Sequence, residues 1–220
     1  MAERMEAAGK DGEFVTKKVP TSIKDERLIK KRRDQMIKGA VALFKEKGFH
    51  KTTTRELAKA SGFSIGTLYE YIRTKEDVLF LVCDFIYEHV KERMEAVIDM
   101  NETGMDSLER AIRSYFQLMD DMQDEVVVMY QEVKSLPKDA QDYVLQKERD
   151  MLHMIECVIE NSLSDPIEEK DRKLLANNIF VQGQMWGFRR WVLQKEFTLQ
   201  SYTERQMHFL FQGLSLSEPI

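Results

Sequence analysis

The sequence predicts an all-α fold, and three observations carry that prediction. Breakers are scarce, with 10 Gly and 4 Pro in 220 residues. The 13 Met join abundant Leu, Glu, Lys and Gln, residues that lose little on entering a helix. Apolar side chains recur at spacings of three and four, and no stretch alternates with the period of two that a half-buried strand requires. The expected layout is an N-terminal three-helix head with a helix-turn-helix, joined by a long helix to a larger C-terminal helical domain.

Residues 1–23 show no periodicity and contain Gly9, Gly12 and Pro20, so they read as a flexible leader. Its basic end (Lys17, Lys18, Lys24, Lys30, Lys31, Arg32, Arg33) is either a solvated face or an arm that follows a polyanion. The head is assigned to 24–73 and the body to 74–220. In the first helix, from about Lys24 to Lys47, Ile37, Ala40, Val41 and Phe44 share one face, and Gly48 supplies a left-handed stop. Thr53 and Glu56 have the spacing of a capping box, which starts a short helix that buries Leu57 and Ala58. Gly62 suits a sharp turn, and Ser64 is placed to cap the next helix. That helix turns Ile65, Leu68 and Ile72 inward and leaves Gly66, Thr67, Tyr69 and Tyr71 near its other faces.

Thr74 and Asp77 form a weaker cap for a helix running to about Met100, with Val78, Val82, Phe85, Ile86 and Val90 on one side. About 27 residues at 1.5 Å each span about 40 Å, enough to join the head to a separate body. The body then offers four or five more helices. One starts near Asp106 with Leu108, Ile112, Tyr115, Phe116 and Met119 as its apolar side. Others cover about Glu125–Leu136 and Asp139–Ser162, the latter with Leu145, Leu152, Ile155, Val158 and Ile159 inward. Asp165 and Pro166, followed by acids, signal a helix reaching about Lys195. Ser201 and Glu204 cap a last helix striped by Met207, Leu210, Phe211 and Leu214.

The net charge of −5 conceals a division: residues 1–80 carry +6 and the rest −11. A basic head on an acidic body suits a protein whose head alone meets a polyanion. Cys83 and Cys157 lie far apart in helical patterns, which argues against a disulfide framework or a Cys-based zinc site and for a reducing cytoplasm. No apolar run reaches the roughly 20 residues that span a bilayer. The four histidines (His50, His89, His153, His208) give only one acidic-x-x-His, Asp150 with His153, where a di-metal bundle needs two. No nucleophile-base constellation is visible. An all-helical enzyme or ligand carrier is therefore the second reading, and no metal or cofactor is expected.

The segment from Gly48 to Leu79 resembles the DNA-binding region of the TetR family of bacterial repressors. The resemblance lies in Gly48-Phe49, Thr52 to Thr54, Leu57-Ala58, Ala60-Ser61-Gly62, Ser64, Gly66-Thr67-Leu68-Tyr69, Tyr71 and Lys75-Glu76. Ile72 departs from the Phe common there. The resemblance implies a homodimer with one reading head per subunit and a helical C-terminal domain holding a ligand pocket. It also implies that the last two long helices, about Glu168–Lys195 and Thr203–Leu214, pair with their partners in a four-helix bundle.

The expected DNA contacts follow from position and chemistry. Gly66 permits close approach, Thr67 reaches a base edge or thymine methyl, and Ser64 and Ile65 open the same surface. By resemblance, Tyr69 and Tyr71 donate to phosphates, and Thr53, Thr54 and Arg55 meet the DNA backbone. Lys75 adds charge at a helix start. The recognition helix holds no Asn, Gln or Arg, so bidentate base readout is thin. For the ligand, Tyr115, Phe116, Met119, Met122, Met129 and Tyr130 suggest an adaptable apolar cavity. The stretch Phe180 to Trp191 carries Gly183 and Gly187, placed for close helix packing or for room beside a ligand. It is loosely similar to the matching segment of TetR members that answer to acyl-CoA esters. Trp186 would then line an acyl channel and Arg190 would meet an anionic headgroup.

Overall fold

Local capping sets out the head. Asp25 accepts hydrogen bonds from the amides of Arg27 and Leu28 at 3.0 and 3.1 Å and so starts α1, Glu26–Lys47. Gly48, at φ 82°, ends it and returns its amide to the Phe44 carbonyl. A full capping box opens α2, Thr54–Ala60: the Glu56 amide donates to Thr53 Oγ1, and the Thr53 amide donates to Glu56 Oε2 at 2.9 Å. Gly62, at φ 75°, makes the turn, and Ser64 Oγ accepts from the Thr67 amide to start α3, Ile65–Tyr69. The computed structural model describes residues 19–97 and 103–215, with side chains to 213.

Among the described residues there are ten α-helices and no strand. After the head come α4 (Lys75–Val97), α5 (Met105–Asp121), α6 (Gln123–Glu132), α7 (Lys138–Ser162), α8 (Glu169–Phe188), α9 (Arg190–Glu196) and α10 (Leu199–Ser215). A short 3-10 turn, Val133–Ser135, follows α6. The long helix α4 packs on α1 in the head and on α5, α6 and α7 in the body. Buried side chains form one continuous cluster from Val19 to Leu210, so head and body share a core through Val78 to Cys83. Burying a side chain such as Leu68 or Phe116 completely contributes about 1.5–3 kcal/mol.

Several elements depart from expectation, each for a local reason. The leader was expected to run to residue 23, yet residues 19–23 are held. Val19 is buried, its carbonyl accepts from Arg33 Nη2 at 2.6 Å, and Thr21 Oγ1 donates to the Glu70 carbonyl at 2.8 Å. Lys17, Lys18 and the rest of the leader lie outside the described residues, as does the expected end of α4 near Met100. Helix α8 starts at Glu169 instead of beside Pro166 and breaks at Arg189, so α9 is separate. The last helix starts at Leu199 because Thr198 and Ser201 cap each other, hydroxyl to amide, at 3.0 and 3.2 Å. Leu145 and Ile65 are exposed, not inward. Met207 and Leu210 are buried within the subunit, while the Leu214 side chain lies outside the described residues.

Candidate nucleic-acid interface and body cavities

The turn between α2 and α3 presents one bare face. Thr53, Arg55, Ser64, Ile65, Gly66 and Tyr69 are exposed, and Thr54 and Thr67 are partly so. Tyr69 is 52% exposed, and its hydroxyl meets Thr54 Oγ1 at 3.2 Å, tying α3 to the start of α2. Ser64 Oγ and Thr67 Oγ1 lie 3.0 Å apart. A Cβ at Gly66 would meet only Ser64 Oγ, at 3.7 Å. Packing inside the subunit therefore does not demand glycine there, and the missing side chain serves whatever comes from outside. Gly39 is the reverse case. A Cβ there would stand 2.9 Å from the Ala60 carbonyl carbon, so this glycine lets α1 cross the end of α2.

Two expected contacts are corrected. Tyr71 is only 2% exposed. Helix α3 ends at Tyr69, the Tyr71 amide bonds back to the Leu68 carbonyl, and the ring stacks on Phe63 with centroids 6.5 Å apart. Lys75 is part-buried, and its ammonium donates to the carbonyls of Phe49, His50 and Thr52 at 3.1 to 3.4 Å while lying over the Phe49 ring. It fastens the α1–α2 loop to α4. Lys51 and Arg73, exposed on the segments before α2 and after α3, are cations that the motif did not single out. Glu56 is held down to about 2 by hydrogen bonds from Lys47 first and Thr53 second, so the cap of α2 stays charged.

In the body, most of the proposed ligand wall is core. Tyr115, Phe116, Met119 and Trp186 are buried. Tyr115 stacks on Phe180 and donates to its carbonyl at 3.0 Å, and a Cβ on Gly183 would stand 2.5 Å from the Tyr115 ring. Gly183 thus serves close packing of α5 against α8. Trp186 Nε1 donates to Asp120 Oδ1 at 2.6 Å. None of these four lines either described cavity. One, of about 110 Å³, lies between the end of α7 and the start of α8, beside Glu160, Leu163 and Arg172. The other is an open groove of about 810 Å³ between α1 and the α5–α6 corner, edged by Lys38, Lys45, Asp121, Asp124 and Arg190.

That groove crosses the junction of head and body. Asp124 receives Lys45 of α1 at 2.5 Å and Arg190 of α9 at 2.9 Å. Burial pushes its carboxyl up, but the hydrogen bonds from Lys45 and Arg190 outweigh this and hold it below the usual range. At the other end of α6, Glu132 Oε1 accepts from the Phe49 amide at 3.1 Å, and Ser135 Oγ meets His50 Nε2 at 3.2 Å. Both ends of α6 therefore grip the head. Nothing in the sequence motif pointed to Asp124 or Glu132.

A bare recognition helix presented by a three-helix head defines a helix-turn-helix DNA-binding protein. Comparison with known proteins agrees. The model of the bacterial regulatory proteins of the tetR family matches residues 36–82, and that of the tetracyclin repressor-like C-terminal domain matches residues 101–191. The HTH-type transcriptional regulator HbdR of Aromatoleum sp. (strain CIB) is 27% identical over 198 residues, covering 88% of this chain and 85% of its own. A tetR-family regulatory protein from Rhodococcus RHA1 superposes with a TM-score of 0.71 at 20% identity, over 86% of this chain and 98% of its own. AibR, solved in complex with isovaleryl coenzyme A and operator DNA, superposes with a TM-score of 0.66 at 18% identity, over 82% and 98%. The chain belongs to the TetR family of DNA-binding transcriptional regulators. Among the described residues, no helix is long and apolar enough to cross a membrane.

Proposed function

We propose that this chain is a cytoplasmic homodimeric repressor, released from its operator by a small hydrophobic effector, of which an acyl-CoA is the leading class. The observation that carries the reading is the bare face of Ser64, Ile65, Gly66, Thr67 and Tyr69, flanked by Thr53, Thr54 and Arg55. Its composition fits shallow entry into a major groove with hydroxyl and guanidinium contacts to phosphates. Leu174 and Val181 on α8 and Phe209 on α10 are exposed large apolar groups, the kind a second subunit covers in a bundle. The effector class draws on AibR, whose complex holds isovaleryl coenzyme A.

Signal transmission follows from the grip of α6. An effector that shifts α6 or α4 changes the set of the head, and hence the spacing of the two heads along the duplex. Electrophoretic mobility shift with the DNA flanking its own gene tests the reading. Retarded complexes that dissolve as an acyl-CoA is added are expected. Failure to retard any such fragment contradicts the DNA role, and indifference to every acyl-CoA contradicts the effector class.

A further inference from the structure

The recognition helix is short, and its far end is held by residues that precede α1. Helix α3 has five residues, too few to stiffen itself, and none of them suits bidentate base contact. Its pose against the duplex therefore decides how well it reads. Ser64 caps its start, Leu68 is buried beneath it, and Tyr69 touches Thr54. Past its last residue, the Glu70 carbonyl is one of those a helix end leaves without a helical amide. Thr21 Oγ1 donates to that carbonyl at 2.8 Å and the Ser22 amide does so at 3.1 Å. Residues 19–23 are placed to deliver these donors. Val19 is buried, Pro20 restricts the backbone, and the Ile23 amide donates to Thr21 Oγ1 at 3.2 Å, which leaves the hydroxyl hydrogen for Glu70. Arg33 of α1 donates from Nη2 to the Val19 carbonyl at 2.6 Å. Burial works against the Arg33 charge, and Asp84 and Asp77 of α4 lie near enough to favour it. Asp77 accepts the amides of Arg73 and Thr74 in the link from α3 to α4, and Asp84 accepts the hydroxyl of Tyr143 in α7.

We propose that residues 19–23 form a strap that fixes the pose of the recognition helix, with Thr21 as its positioning residue and Arg33 as its anchor. The strap then sets affinity for the operator and leaves affinity for DNA in general alone. It acts this way only if Ser64–Tyr69 is the DNA face, as proposed above. A helix fastened at both ends enters the groove already ordered, whereas one released at its end has to be ordered as it binds, at a cost in affinity. Attraction between the cations of the head and the phosphates depends on charge, and the Thr21 hydroxyl carries none. Loss of that hydroxyl therefore weakens reading and spares non-specific binding.

The test measures binding of the full chain to two duplexes of equal length over a range of salt. One is the fragment flanking its own gene that wild type retards, and the other is unrelated DNA. Thr21→Val keeps the shape of the side chain and removes the donor. It should bind the retarded fragment about fivefold more weakly, with the same salt slope as wild type and the same affinity for unrelated DNA. Thr21→Ser restores the hydroxyl and should bind as wild type does. Arg33→Met releases the Val19 carbonyl and should also weaken binding to the fragment. In the double variant the two losses should not add in full, because both undo one attachment. The strap is overturned if Thr21→Val binds the fragment as wild type does, if Thr21→Ser fails to restore binding, if affinity for unrelated DNA falls in parallel, or if the two losses add. If Gly66→Glu leaves the fragment bound as tightly as before, the DNA face falls and takes the strap with it. If Gly66→Glu abolishes binding and Thr21→Val leaves it unchanged, the face stands and only the role of the strap is lost.

Discussion

The head and the body hold their chemistry in opposite ways. In the head, the residues proposed to meet DNA are little used by the packing: a Cβ on Gly66 would meet only Ser64 Oγ, and Tyr69 is half exposed, held by one hydroxyl contact to Thr54. In the body, the residues chosen by character for ligand contact are the ones the fold needs most. Tyr115 fills the space that Gly183 leaves and stacks on Phe180, and Phe116 is fully buried. The head's proposed contacts can therefore be altered at little cost to folding, whereas changes at the body residues named for ligand contact disturb the packing.

The sharpest way to break this contrast is to place a charge on the bare face. Gly66→Glu should weaken operator binding at least a hundredfold, about 2.7 kcal/mol, with the melting temperature nearly unchanged. Fluorescence anisotropy and calorimetry on the same sample check both halves, and a collapse of stability would show that Gly66 serves the fold after all. A second charge tests the outer face of the body. Leu174→Glu with Phe209→Glu should leave a folded monomer by sedimentation and lower operator affinity by tenfold or more, since one head then binds alone.

The two glycines give a smaller but more pointed contrast. Gly183→Ala drives a methyl into the Tyr115 ring and should cost about 1–3 kcal/mol. Gly66→Ala meets only Ser64 Oγ, at ordinary contact distance, and should stabilise the free protein by up to about 1 kcal/mol through helix propensity, while weakening DNA binding. Equal effects on the melting temperature would remove the distinction between the two regions.

The smallest effect concerns the clasp between them. The Asp124 carboxyl is held below its unfolded value, so its stabilisation is present above pH 4 and is lost as pH falls through the lower folded value. Asp124 is partly exposed, so the contribution is on the order of 0–1 kcal/mol. Asp124→Asn should flatten that part of the stability-against-pH curve. A parallel loss of effector response would place the clasp on the signal path.

Legibility in the sequence follows the same division. The caps of α2, α3 and α4 were readable because each depends on residues within four positions, as with Thr53 and Glu56, whereas the Asp25 cap of α1 was missed among neighbouring charges. The bare face was readable for the same reason up to Tyr69. Tyr71 was not, because two tyrosines two residues apart look alike until the helix ends between them and Phe63 receives the second ring. Lys75 looked like a free cation, since the three carbonyls it satisfies belong to residues 23 to 26 positions earlier. In the body, an apolar aromatic has the same sequence signature whether it lines a cavity or fills one. The clasp of Lys45, Asp124 and Arg190 depends on contacts between distant helices that no local pattern encodes.

The central claim, that the Ser64–Tyr69 face and the start of α2 meet duplex DNA, is tested most directly by the salt dependence of operator binding for Arg55→Ala against wild type. The side chain of Arg55 is exposed, so the fold should be unaffected by its removal. Loss of one phosphate contact should reduce the slope of log affinity against log salt by about 1 and weaken binding at low salt. An unchanged slope and affinity, in a dimer that melts as wild type does, would contradict the account.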